Sequence, residues 1–280
     1  MMRKFAASEL RGLYRPDKNS SGEDNGQVVI IGGSSLFHGA PFFAVQSASR
    51  VVDMVFFSSP EKSLRDVAAN LKSRLFNFIW VPFGEVEDYI KKSDAVLIGP
   101  GFMRAHNEKA NTGPSNASDK AYNVSRKITQ ELLDKFPNKK WVVDGGSLQV
   151  MEPEWIPKGA IVTPNKKEYK ILFGDLNPDE ASKKYDCIIV LKGPVTYVYS
   201  SNERFEVHGG NPGMTKGGTG DAMAGLTVGL LAKNEPMLAA TSAAYVTKAA
   251  GDALYKKQGV YYNADDLANI IPETLYKLTA

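Results

Sequence analysis

Residues 209–221 read Gly-Gly-Asn-Pro-Gly-Met-Thr-Lys-Gly-Gly-Thr-Gly-Asp, the pattern of this sequence with the clearest chemical use. Its end, Gly217-Gly218-Thr219-Gly220-Asp221, runs straight into the uncharged stretch Ala222–Ala232. A segment apolar nearly all round predicts a buried helix, and its small residues permit close packing. The start of such a helix presents unpaired N–H groups and a partial positive charge, which together form an anion site. Glycines let the backbone approach a phosphate with no Cβ in the way. The chemistry implied is phosphoryl transfer from a nucleotide. Asp221 is badly placed to bind phosphate, because like charges repel. It is either a helix N-cap, where Asp is common, or a base that deprotonates a hydroxyl attacking the terminal phosphate. In the second case the helix N–H groups would hold the developing charge. Spacing leaves both roles open.

Other chemistries find less support. The chain contains no Gly-x4-Gly-Lys-Ser/Thr phosphate loop, no strand-associated Gly-x-Gly-x-x-Gly fingerprint and no Gly-x-Ser-x-Gly elbow. No His/Cys/Asp/Glu spacing suggests zinc. His106 sits in a polar loop and His208 at a strand end. His38, two residues before Ala40, is the histidine a substrate could meet. The single cysteine, Cys187, opens the apolar run Cys187–Leu191 and reads as a small core residue. One cysteine permits no disulfide within the chain, which fits a reducing cytoplasm.

The elements that must position these residues follow from pattern. The chain has 280 residues, 34 basic and 31 acidic, with a net charge of +3. Lys166-Lys167, Lys183-Lys184 and Lys256-Lys257 are short pairs on solvated faces rather than a nucleic-acid stripe. The basic start, Met1–Phe5, lacks the apolar region of a signal peptide, and no apolar run is long enough for a membrane span. A soluble, cytoplasmic protein is expected. Residues 1–26 form a lead-in helix and loop, and residues 27–280 a single catalytic domain. Apolar runs at Val28–Ile31, Val51–Phe57, Phe78–Val81, Ala95–Ile98, Trp141–Val143, Ala160–Val162 and Cys187–Leu191 predict strands buried on both faces. Helices are predicted at Phe42–Ser49, Pro60–Leu75, Ser118–Phe136 and Lys166–Phe173. This alternation argues for an α/β fold with a mostly parallel sheet and helices on both sides. Thr196–Ser200 and Arg204–His208 predict a β-hairpin at one sheet edge, and the chain from Gly220 onward predicts helix after helix. Gly32-Gly33, Gly99-Pro100-Gly101, Asp144-Gly145-Gly146 and Lys192-Gly193 all follow strands, so they are expected to border one cleft.

Gly-Gly-Thr-Gly-Asp ahead of an Ala/Gly-rich helix resembles the anion-hole motif of the ribokinase-like superfamily. With Asn211-Pro212-Gly213-Met214 before it, the segment resembles the NAD(P)H-hydrate dehydratase family. Gly39-Ala40-Pro41, Ile98–Gly101, Val143–Leu148, Thr163-Pro164-Asn165-x-x-Glu168 and Val190–Gly193 with Thr196 are similar to that family's other segments, in its order. The resemblance implies a three-layer α/β/α fold. It also implies dehydration of hydrated NADH or NADPH, driven by a nucleotide, with ADP favoured over ATP as phosphoryl donor. Phosphate is a better leaving group than hydroxide, so phosphorylation of the C6 hydroxyl would precede elimination.

Carried over residue by residue, the resemblance makes Asp221 the catalytic base and a substrate contact. Lys192, Gly193, Pro194, Val195, Thr196, Gly218, Thr219 and Gly220 would bind the nucleotide, and Ala40, Gly101 and Asn165 the substrate. Mg²⁺ is expected to neutralise the phosphates. With so short a lead-in, the family's separate epimerase domain is not expected here. A homo-oligomer is expected, although the Ala239–Ala253 stretch could pack within the chain as well as across subunits. Two departures stand out: Asn165 replaces the family's usual histidine, and Lys166-Lys167 follow it where glycine is usual. A small-molecule kinase and a non-catalytic nucleotide-binding regulator remain the alternatives.

Overall fold

The computed structural model describes residues 2–71, 77–104 and 116–280. His106 lies outside them. Ten strands among the described residues form one sheet: β1 (Arg3–Lys4), β2 (Gln27–Ile31), β3 (Met54–Ser58), β4 (Ile79–Trp80), β5 (Ala95–Ile98), β6 (Lys140–Val143), β7 (Ile161–Val162), β8 (Ile188–Leu191), β9 (Thr196–Tyr199) and β10 (Arg204–Val207). Their order is β1-β10-β9-β8-β7-β6-β5-β2-β3-β4. Neighbours pair parallel except β8 with β9 and β9 with β10.

Successive strand residues point to opposite faces, and here both faces are covered. Val28, Ile30, Val55, Phe57 and Leu97 enter one core cluster. They meet helices α1 (Gly39–Ala48), α8 (Thr219–Lys233), α9 (Pro236–Gln258) and α10 (Ala264–Thr279). Val29, Ile31, Phe56, Val96 and Ile98 enter the other. That layer contains α3 (Val86–Lys92), α4 (Asn116–Lys135), α5 (Gly146–Val150), α6 (Lys166–Phe173) and α7 (Pro178–Lys184). The result is the expected three-layer α/β/α arrangement. A further helix, α2, spans Ser63–Leu71. No helix among the described residues is long and apolar enough to cross a membrane.

Three local features differ from expectation. The strand expected from Val51 starts at Met54, because residues 51–53 turn out of α1. The Val51 N–H donates to the Ala48 carbonyl, and the Asp53 carboxylate accepts from the N–H groups of Glu23 and Asn25. The hairpin β9–β10 does lie at one end of the sheet, but β1 pairs in parallel outside it. The lead-in helix is a 3-10 helix, Ala7–Gly12, whose Leu10 is buried in the first core cluster along with Phe5.

The buried helix read from Ala222–Ala232 is α8, pressed against α1. A Cβ on Gly225 would sit 2.2 Å from the Ala44 carbonyl oxygen, and one on Gly229 would sit 2.5 Å from Val51 Cγ2. Backbone cannot yield as a side-chain tip can. Gly225→Val is therefore expected to destabilise the chain by about 3 kcal/mol, as overpacked cores do. Urea unfolding measures this, and an unchanged midpoint would mean that α1 and α8 have room to separate.

Candidate active site

The chain leaves β2 to build β3 and β4 on one side, then returns to place β5 on the other. Such a switch point opens a crevice beyond the carboxyl ends of β2 and β5. The two loops there interlock. The Gly33 N–H donates to the Pro100 carbonyl at 2.7 Å, and a Cβ on Gly32 would lie 2.2 Å from the same oxygen. Gly101 has φ +74°, and a Cβ there would meet the Phe37 carbonyl at 2.4 Å and Pro41 Cδ at 3.1 Å. Gly101 thus abuts the start of α1, which holds Ala40. The structure brings these two expected substrate contacts together.

A cavity of about 590 Å³ lies beside this crevice, beyond β8. Its lining includes Lys192, Gly193, Pro194, Thr196, Thr219 and Gly220, six of the eight positions expected at a nucleotide. Val195 and Gly218 are not in its lining. Gly218 has another task. At φ +93° it turns the chain into α8, and a Cβ would meet the Phe43 ring at 2.6 Å. A larger groove between α3 and α4, about 740 Å³, contains none of the candidate residues.

Gly218 is the N-cap of α8, and Asp221 is the third helical residue. The capping role left open for Asp221 therefore falls to a residue with no side chain. The Thr219 hydroxyl lies 2.7 Å from the Met214 carbonyl and 2.9 Å from that of Lys216, which ties the glycine loop back on itself. Asn211 fixes the preceding turn. Its amide oxygen accepts from the Gly213 N–H at 3.0 Å and from the Tyr262 hydroxyl at 2.7 Å.

Around Asp221 the structure gathers a charged cluster. Lys192 Nζ is 2.8 Å from Asp144 Oδ1 and 3.9 Å from Glu168 Oε2, and both carboxylates are buried. Thr163 donates to Asp144 Oδ1 at 2.6 Å, and Gln149 donates to Glu168 Oε1 at 3.3 Å. Burial and the nearby Asp144 carboxylate raise the Asp221 pKa to about 7, against the opposing pull of Lys192 and Arg104. Burial alone would lower the Lys192 pKa, but Asp144, Glu168 and Asp221 outweigh it and hold the ammonium charged. Arg104 follows the Gly101 loop and Lys192 follows β8, so Asp221 feels cations from both sides of the site.

Asn165 lines the cavity, yet its amide oxygen caps α6, accepting from the N–H groups of Lys167 at 2.9 Å and Glu168 at 3.0 Å. Glu168 returns a bond from the Asn165 N–H, closing a capping box. The departure from histidine thus has a local structural use. His38 is the exposed N-cap residue of α1, and His208 Nε2 lies 3.3 Å from Glu206 on an exposed strand end. Cys187 is buried, and burial pushes its thiol up to about 12, so it is inert.

Sequence reasoning passed over two residues of α9. Lys248 and Asp252, one helical turn apart, bond to the backbone of loops at the cavity. A charged pair at i, i+4 inside an Ala-rich buried helix was the available signal. Among the described residues, no group of three His, Cys, Asp or Glu side chains is placed to hold a metal ion. Asp144 and Glu168 are the carboxylates grouped at Lys192. Mg²⁺ commonly takes one or two carboxylates and completes its shell with substrate phosphates and water, so this donor set fits an ion that arrives with a nucleotide.

The sheet order and the glycine loop opening α8 define a ribokinase-like α/β protein. The chain superposes on a ribokinase-like superfamily protein from Enterococcus faecalis with a TM-score of 0.79 at 23% identity, covering 99% of this chain and 96% of that one. More specifically, the chain belongs to the NAD(P)H-hydrate dehydratase family, whose model matches residues 28–273. It is 33% identical over 275 residues to the bifunctional NAD(P)H-hydrate repair enzyme of Methanocaldococcus jannaschii, covering 95% of this chain and 51% of that protein. It therefore spans about half the length of such bifunctional relatives. It is also 28% identical to the ADP-dependent (S)-NAD(P)H-hydrate dehydratase of Cenarchaeum symbiosum, covering 98% of this chain and 94% of that protein.

Proposed function

We propose that residues 27–280 dehydrate hydrated NADH and NADPH, using ADP in preference to ATP as phosphoryl donor. The observation that carries this reading is the position of Asp221. It sits in the first turn of α8, its charge coupled to Lys192 on the cavity side and to Arg104 on the Gly101 side. A hydroxyl presented near Ala40 and Gly101 would lose its proton to Asp221 and attack the terminal phosphorus of a nucleotide held along Lys192–Thr196. The N–H groups that open α8 would stabilise the charge on the transferring group. Phosphate would then leave C6 as the adjacent ring carbon loses a proton to water, which restores the double bond of the dihydronicotinamide ring. Mg²⁺, held by Glu168 or Asp144 and the nucleotide, would neutralise phosphate charge. The preference for ADP rests on the ADP-dependent relative.

The test is to incubate hydrated NADH or NADPH with ADP or ATP and Mg²⁺ while following reduced-nicotinamide absorbance and free phosphate. Absence of signal with every nucleotide would sink the proposal. A stable phosphorylated product without the absorbance change would instead mark a kinase.

Asp221 also sets a pH dependence. A base works only when deprotonated, and its pKa is raised to about 7. The value of kcat/KM should therefore climb with pH and level off above about 7. A profile flat from about pH 5 to pH 9 would remove Asp221 as the base.

A further inference from the structure

Two loops wall the cavity, one after β8 and one after β10, and α9, which also lines it at Ala244, Thr247 and Lys248, reaches both. Lys248 lies within α9 and is 7% exposed. Its ammonium donates to the carbonyls of Gly193 at 3.1 Å, Pro194 at 2.8 Å and Gly209 at 2.9 Å. An ammonium has three donors, and here each meets a backbone oxygen. Asp252, one turn further along, takes the opposite polarity, accepting from the Gly210 N–H at 2.9 Å and from Asn211 Nδ2 at 3.1 Å. Gly210 has φ +83°, and a Cβ on it would come within 3.3 Å of Lys248 Nζ. The glycine leaves the ammonium its space.

Burying a lysine costs free energy unless its hydrogen bonds are satisfied. A helix that needed only packing here would carry alanine, as its neighbours Ala249 and Ala250 do. Burial lowers the Lys248 pKa, and Asp252 opposes the shift. Gly193 and Pro194 belong to one wall of the cavity, and Gly210, Asn211, Pro212, Met214 and Thr215 to the other.

We propose that Lys248 is a positioning residue whose ammonium ties together the two loops walling the nucleotide cavity. Nucleotide affinity, rather than the chemical step, depends on that tie. This inference rests on the nucleotide-dependent reading of the site given above. It assigns Lys248 no contact with the reacting atoms.

The experiment titrates ADP and ATP calorimetrically into wild type, Lys248→Met and Lys248→Ala, and measures KM and kcat for each. Melting without nucleotide verifies folding. Loss of binding common to ground and transition state raises KM and spares kcat. Nucleotide Kd and KM should rise at least about tenfold, with kcat within about threefold. Ethylamine should restore nucleotide binding to K248A, whose vacated space admits it, and do nothing for K248M. A folded K248M that binds nucleotide as wild type does overturns the proposal, as does a fall in kcat at unchanged Kd or failure of the amine to restore K248A. Should neither variant fold, Lys248→Arg carries the test. Its planar fork cannot converge on three carbonyls, so binding must still weaken, and unchanged binding overturns the tie. If wild type binds no nucleotide, the proposed function fails first and this inference with it.

Discussion

Replacing Asp221 with asparagine is expected to lower kcat for hydrate dehydration by about 10²–10⁴-fold, the range typical of a lost general base. Nucleotide affinity should hold or tighten, because the substitution removes a negative charge beside the phosphates. The shape of the variant matters too. Asparagine is nearly isosteric and Asp221 does not cap α8, so the helix start should survive. Stability should change in a defined direction. The Asp221 pKa is about 7 in the folded chain against an ordinary carboxyl value of 3.8. A raised folded-state pKa contributes stability that is full below the unfolded value and lost as pH rises through the folded one. Wild type should therefore lose stability between about pH 4 and pH 7, with a ceiling of about 4 kcal/mol for three pKa units. D221N should lack that loss and be the more stable protein at pH 8. Unfolding at pH 5 and pH 8, paired with turnover, decides the matter. A variant that keeps wild-type kcat, or that is less stable at pH 8, would falsify the assigned role.

The parts legible in sequence were those set by local pattern. β5 and α6 fall on the residues expected for them, because each is set by local sequence: an apolar run for β5, and for α6 a start that the structure shows to be an Asn-x-x-Glu capping box. The helical last third followed from composition. The glycine loop, with Asp221 after it, was legible as a phosphate-binding helix start. Residues 51–53 were not, because their turn is fixed by Asp53 reaching back to Glu23 and Asn25 across a loop. β1 escaped because a two-residue strand of Arg and Lys has no hydrophobic signal; its partner β10 defines it. Whether Asp221 capped its helix depended on which residue turned at positive φ, and Gly217 and Gly218 were equivalent on paper. The charged cluster was the least legible. Asp144 and Lys192 follow β6 and β8, Glu168 lies in the first turn of α6, and only the sheet order makes them neighbours. Lys248 was masked by the alanines around it, since a lysine in a helix is ordinarily solvated.

Lys192 should be the residue whose loss costs the most stability. Lys192→Met keeps the length of the side chain and removes its charge. Asp144 and Glu168, with side chains 3% and 8% exposed, then lose the cation they share. Removing one partner of a buried ion pair costs about 3–5 kcal/mol, because the remaining charge is stranded away from water. Lys192 also pulls the Asp221 pKa down, so any surviving activity should need a higher pH than wild type. Nucleotide binding should weaken as well, since Lys192 lines the cavity. A second substitution separates these effects. Asp144→Asn in the K192M background removes one stranded charge and keeps a hydrogen-bond acceptor for Thr163. It should recover most of the stability and none of the nucleotide affinity. If K192M alone melts like wild type at pH 8, the cluster is not an interdependent set of charges. If the double variant recovers affinity along with stability, Lys192 acts at the nucleotide only through the fold.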